Sequence, residues 1–143
     1  MSSCNSDTMD IVKRKKELEA VLENSYSPYS EFKVAASIKT SKGEFFSGVN
    51  IENSSYSLTM CAEASAIAAM ISSNGIEAIS DVVIINNSEK ACPPCGACLQ
   101  RLIEFGVAQT NVYLGVAKSD EIKKYKLKDL IPLQFNRDYL NKS

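Results

Sequence analysis

Asp81-Val82-Val83-Ile84-Ile85-Asn86 is a continuous apolar run closed at each end by a polar residue. A run of this length without alternation suits a strand buried on both faces. Before it, residues 62–72 (Ala62-Glu63-Ala64-Ser65-Ala66-Ile67-Ala68-Ala69-Met70-Ile71-Ser72) are rich in helix formers, and Asn74-Gly75 closes that helix. After it, residues 96–105 read as a second helix stopped by Gly106, and Val112 to Ala117 as another buried strand. Upstream, Phe32 to Lys39 alternates, Lys42-Gly43 turns, and Glu44 to Ile51 returns, which predicts a hairpin. Residues 9–24 carry Ile11, Val12, Leu18, Val21 and Leu22 at helical spacing. Around Leu127, Leu130, Ile131 and Pro132 the expectation is a short strand or turn of helix, then a tail. Two strands followed by alternating helix and strand predict an α/β fold: three layers, α/β/α, around a mixed central sheet of about five strands.

The 143 residues fit a single domain spanning 1–143, with residues 1–8 as a flexible tail. Lys and Arg number 16 against 17 Asp and Glu, so no basic surplus points to a nucleic-acid polymer. The cluster Lys13-Arg14-Lys15-Lys16 reads as the solvated face of the first helix. The longest apolar stretch, Ala66 to Ile71, is far short of the roughly 20 residues of a membrane span, and residues 1–10 lack the apolar core of a secretory signal. A cytoplasmic protein with no membrane partner is expected.

There is no histidine. That excludes imidazole-assisted nucleophiles and imidazole metal ligands. The 5 cysteines are Cys4, Cys61, Cys92, Cys95 and Cys98, an odd number that favours metal or catalysis over a disulfide framework. Met60-Cys61-Ala62-Glu63-Ala64 and Pro93-Pro94-Cys95-Gly96-Ala97-Cys98 each lie at an expected helix start. Free N–H groups and the positive end of the dipole lower a thiol's pKa there, toward the form that binds metal. Cys61, Cys95 and Cys98 could then hold Zn²⁺, one per chain, with the fourth position open to water, the layout of a catalytic site. Glu63, two residues after Cys61, can lie near the metal without ligating it. Cys-x-Glu with a distant Pro-Cys-x-x-Cys matches the all-cysteine form of the zinc-deaminase signature. In that chemistry the metal brings the pKa of its water to about 7, the resulting hydroxide attacks C4, and Glu63 shuttles the proton. Cys92 precedes Pro93-Pro94 and reads as a bystander; Cys4 sits in the polar tail.

From about Tyr26 to Phe135 the chain resembles the small homotetrameric cytidine deaminases. The markers are Tyr26-Ser27-Pro28-Tyr29-Ser30-Glu31-Phe32-Lys33-Val34, Gly48-Val49-Asn50-Ile51-Glu52-Asn53, Tyr56, Cys61-Ala62-Glu63 and Pro94-Cys95-Gly96-Ala97-Cys98. The resemblance implies hydrolytic deamination of free cytidine and 2′-deoxycytidine to uridine and 2′-deoxyuridine, in pyrimidine salvage. It implies that Phe32 stacks on the pyrimidine, that Asn50 and Glu52 bond the ribose hydroxyls, and that Ala62 meets the base through its backbone. Tyr56 near a subunit interface and Phe135 reaching a neighbouring subunit imply a homotetramer with shared sites. The alternatives are a blasticidin S-type deaminase and, from another class, a non-catalytic zinc-binding or CxxC redox module.

Two residues depart from the family pattern: Ala64 and Leu99 stand where arginine is usual. Three thiolates and Zn²⁺ leave net negative charge, which an arginine would offset. Arg101, turned about 200° from Leu99 around a helix axis, is expected to point elsewhere. The expected consequence is an activity optimum displaced to higher pH.

Overall fold

The computed structural model describes residues 2–140, with side chains from Thr8 onward; the Cys4 thiol falls outside them. The elements run α1 (Ser2–Leu22), β1 (Val34–Thr40), β2 (Phe45–Val49), α2 (Ala62–Asn74), β3 (Ile79–Asn86), α3 (Gly96–Phe105), β4 (Gly106–Val116), β5 (Ile122–Lys126) and α4 (Leu127–Leu130). One five-stranded sheet has the order β2-β1-β3-β4-β5. Its β3–β4 pair is parallel, and the β1–β2, β1–β3 and β4–β5 pairs are antiparallel. The sheet is mixed, as the pattern of elements predicts.

β3 sits at the centre because its side chains serve both faces. Val82 and Ile84 belong to one core with Ala66, Ile67 and Met70 of α2 and Leu102 and Ile103 of α3. Val83 and Ile85 belong to the other, with Ile11, Leu18 and Leu22 of α1. Alternation between two apolar layers is what an unbroken apolar run means in a strand. The result is α1 on one face, α2 and α3 on the other, and the starts of α2 and α3 close enough for their cysteines to meet.

Differences from the expected elements have local causes. α1 already begins at Ser2, so residues 2–8, expected as a tail, continue the helix; extension of a formed helix costs far less than its nucleation. β4 starts at Gly106, well before its apolar run, because Ile79 and Asp81 of β3 give Gly106 and Asn111 partners. β5, Ile-Lys-Lys-Tyr-Lys, has no apolar run to betray it; it is an edge strand, where lysines guard an open ladder. The basic cluster is not wholly solvated. Lys15 is buried on the stripe of Ile11, Leu18 and Leu22, with Nζ donating to Ser119 O at 2.6 Å and Glu19 Oε1 at 3.0 Å. Its apolar stem occupies the space beside Gly115, and only its ammonium needs polar partners.

Two glycines are required by geometry. Gly75 closes α2 at φ +75°, a region that disfavours L side chains. Gly48 lets β2 lie directly against α2: a Cβ there would stand 2.4 Å from Ala66 N and 2.6 Å from Ser65 Cβ. Gly48→Ala must therefore push α2 away from the sheet. Overpacking of this kind costs about 1–3 kcal/mol, and the expected outcome is a melting temperature lowered by several degrees. A thermal unfolding curve unchanged from the parent would contradict the close approach.

Candidate active site

Cys61 is the N-cap of α2 (φ −79°, ψ 158°) and Cys95 the N-cap of α3 (φ −70°, ψ 170°), neither making a side-chain cap bond. Cys98 lies in the first turn of α3 and is buried. The chain leading into Cys61 is pinned to the segment that follows β2, where Ile51 and Met60 exchange both backbone hydrogen bonds at 2.9 Å. Glu63, in the first turn of α2, is only 4% exposed. A negative side chain is favoured at that end of a helix.

The sulfurs of Cys61 and Cys98 and a carboxylate oxygen of Glu63 all lie within 4.8 Å of one another. They border a cavity of about 420 Å³, within the usual range for a small-molecule site. Phe32, Asn50, Ala62, Cys92, Cys95 and Arg101 share its wall. The Cys95 sulfur is not in the close cluster, although Cys95 lines the same cavity at the neighbouring helix start. Two thiols within 4.8 Å of each other, a third on the same cavity wall and, among the described residues, no disulfide at these cysteines make a donor set that fits zinc, whose Zn–S bonds are about 2.3 Å.

The thiols polarise one another. A hydrogen bond from Cys98 holds Cys61 down to about 6, helped by the Ala64 N–H and the charge of Arg101, against burial and Glu63. The same bond, then burial and the charge of Glu63, pushes Cys98 up. Arg101 Nη1 stands 3.8 Å from Cys61 Sγ. This corrects the expectation that Arg101 points elsewhere. The relevant neighbour is Cys98, one turn back at about 300°, rather than Leu99. Helical side chains also lean toward the N-terminus, where the thiols gather. With a cation beside Cys61, the premise for an optimum displaced to higher pH is gone.

Asn50 is 8% exposed and ties three segments together. Its Nδ2 donates to Phe32 O at 2.8 Å, and its Oδ1 accepts from Val34 N at 3.0 Å and from the Ser25 hydroxyl. Asn50 thus fixes the backbone that carries Phe32. Glu52 does not line the cavity. Its Oε1 accepts from the N–H of Tyr29 (3.0 Å) and Ser30 (3.2 Å), and its Oε2 from Ser30 Oγ (2.5 Å). Tyr56 is exposed and packs edge-on against Tyr29 at 5.8 Å. Phe135 is exposed, stacks on Tyr139 at 5.8 Å, and its carbonyl accepts from Gln100 Nε2 at 2.8 Å. Neither Tyr56 nor Phe135 borders the cavity of its own chain. Cys92, read as a bystander, does border it and is exposed. Asn86 was not singled out. It is buried at the end of β3 and shapes the cavity wall through bonds from Ser88 N at 2.7 Å and to Lys90 O at 3.1 Å.

Residues 12–114 match the family described as the cytidine and deoxycytidylate deaminase zinc-binding region. A cytidine deaminase of Mycoplasma genitalium is 37% identical over 122 residues, covering 85% of this chain and 92% of that protein. One from Halalkalibacterium halodurans is 36% identical over 126 residues, 88% of this chain and 94% of the other. The crystal structure of a Burkholderia pseudomallei cytidine deaminase superposes with a TM-score of 0.76 at 33% identity, covering 82% of this chain and 93% of that one.

The Ser30 hydroxyl, outweighing burial, and then the N–H groups of Ser30 and Tyr29 hold the Glu52 carboxyl below its ordinary 4.5. A lowered folded-state value stabilises the fold above that pH and stops doing so as pH falls through it. The melting temperature of Glu52→Gln should therefore lie below the parent's by a constant gap near neutrality. The gap should close as the pH is taken down below the ordinary carboxylate range. A gap that widens in acid would refute the role of these bonds.

Proposed function

The chain belongs to the zinc-binding cytidine and deoxycytidylate deaminase family, and from that membership we propose that it hydrolyses free cytidine and 2′-deoxycytidine. The products are uridine or 2′-deoxyuridine and ammonia. The observation that carries this reading is the buried Glu63 carboxylate within 4.8 Å of the Cys61 and Cys98 sulfurs on the wall of a nucleoside-sized cavity. A redox CxxC module has no use for such a carboxylate.

Cys61, Cys95 and Cys98 would hold the zinc, which when bound acts as a Lewis acid and brings the pKa of water toward neutrality. Glu63 does the proton work. It takes a proton from the water that attacks C4 and passes it to the ring nitrogen. It then accepts the second proton of the new hydroxyl and delivers it to the departing amine as the C4–N bond breaks. Each transfer is over a short reach inside a buried site, which suits general acid–base catalysis. Phe32 offers its ring to the flat base. Asn50 keeps one amide proton beyond the bond to Phe32 O, available to a ribose hydroxyl. Glu52, off the cavity wall, holds through its carboxylate the Tyr29–Ser30 turn that leads into Phe32. Ala62, buried at the first position of α2, faces the base with backbone alone.

The assembly is a homotetramer that shares its sites. In support, Tyr56, Leu58, Leu133, Phe135 and Tyr139 leave more than half of their surfaces open on a single chain, an exposure that favours burial against a copy. Among the described residues no helix is long and apolar enough to cross a membrane. Unpaired cysteines at the site are compatible with a reducing compartment, and we propose a cytoplasmic place in pyrimidine salvage.

Glu63→Ala should retain zinc and fold while losing turnover by at least about 100-fold. A spectrophotometric deamination assay with zinc quantified in the same sample checks both halves; retained activity would overturn the role of Glu63. Light scattering should return four times the chain mass, and Phe135→Ala should raise KM for cytidine; a monomer that deaminates at full rate would overturn the shared site.

A further inference from the structure

Arg101 is the one cation on the wall of the thiol cavity among the described residues. It also borders a shallower groove between α2 and α3, together with Ala64, Ala68 and Glu104. The methyl side chains of Ala64 and Ala68 leave this groove open, so a side chain rooted on α3 can cross toward α2. Arg101 uses that opening to bring Nη1 within 3.8 Å of Cys61 Sγ. It makes no ion pair with a carboxylate among the described residues, although Glu104 shares the same groove. The guanidinium charge is permanent and its fork of N–H donors directional. It is therefore directed at a sulfur rather than at an available acid.

Resting on the zinc-deaminase reading above, we propose that Arg101 is the positioning residue of the thiolate site, orienting the Cys61 sulfur and offsetting the site's surplus negative charge from α3. The arginine expected on α2 at position 64 is replaced by a cation on the facing helix, and the small residue at 64 gives it room. Arg101 acts through Cys61 and needs no contact with the nucleoside.

The zinc-loaded full-length protein and its Arg101→Met and Arg101→Lys variants are challenged with a chelator at one fixed pH. Loss of a partner that orients a metal ligand typically costs about 10–100-fold in metal affinity. Arg101→Met should weaken zinc retention by about that factor, and Arg101→Lys by clearly less. The melting temperatures of the metal-free proteins should coincide, because Arg101 is exposed and joins neither apolar core. Retention by Arg101→Met equal to the parent's overturns the proposal, as does Arg101→Lys failing as badly as Arg101→Met. A change confined to KM with zinc retention unaltered would assign Arg101 to the substrate and also overturn it. A parent protein that binds no zinc at all would instead bring down the deaminase reading, and this inference with it.

Discussion

Negative charge is the constraint around which this site is built. With no histidine in the chain, the candidate donors that gather at the cavity are sulfurs and a buried carboxylate. Gathering such groups in one cavity is unfavourable unless fixed positive potential faces them. The fold supplies that potential by aiming the starts of α2 and α3 at the cavity, with Cys61 and Cys95 as the caps. Each helix start contributes roughly 0.3–1 kcal/mol at an exposed position and up to about 2 where partly buried. Two of them oppose several negative groups only in part, and the guanidinium of Arg101 beside Cys61 adds a full charge.

That arrangement depends in turn on β3. Its side chains fill both apolar layers, so it must lie in the middle of the sheet. α2 leads into β3 and α3 leaves it, both on one face, which brings their N-termini to a common cavity. Gly48 tightens the geometry by letting β2 approach α2 with no intervening side chain. A property of six consecutive residues thus propagates to the distance between two sulfurs.

The same logic explains what could be read in advance. Residues 81–86 and the helix formers on either side identify the layers because burial on two faces leaves a distinct one-dimensional pattern. The gathering of Cys61, Glu63 and Cys98 is legible because helix starts and thiol spacing are local features. β5 was not, since an edge strand is written in lysine and tyrosine and owes its place to pairing with β4. Lys15 was misread because its charge outweighs its position on the apolar stripe until the partners Glu19 and Ser119 O are seen. The structural roles of Asn50 and Glu52 are not legible in the same way. Their bonds to Phe32, Val34, Tyr29 and Ser30 reach residues 16 to 23 positions away and leave no trace in spacing.

Arg101 shows how the choice of reference residue decides such a reading. Measured from Leu99 it is on the far side of α3; measured from Cys98 it is one turn along the same face. Leu99 only marks where a cation is usual, whereas Cys98 marks where the charge to be offset lies. A requirement for positive potential at a point in space does not specify which helix delivers it. Ala64 brings no charge to α2 and leaves open the groove through which α3 can provide one. The small residue at 64 and the cation at 101 are therefore steric and electrostatic complements. Read position by position against a family pattern, Ala64 looks like a loss; read as a charge balance over the cavity, it is a relocation.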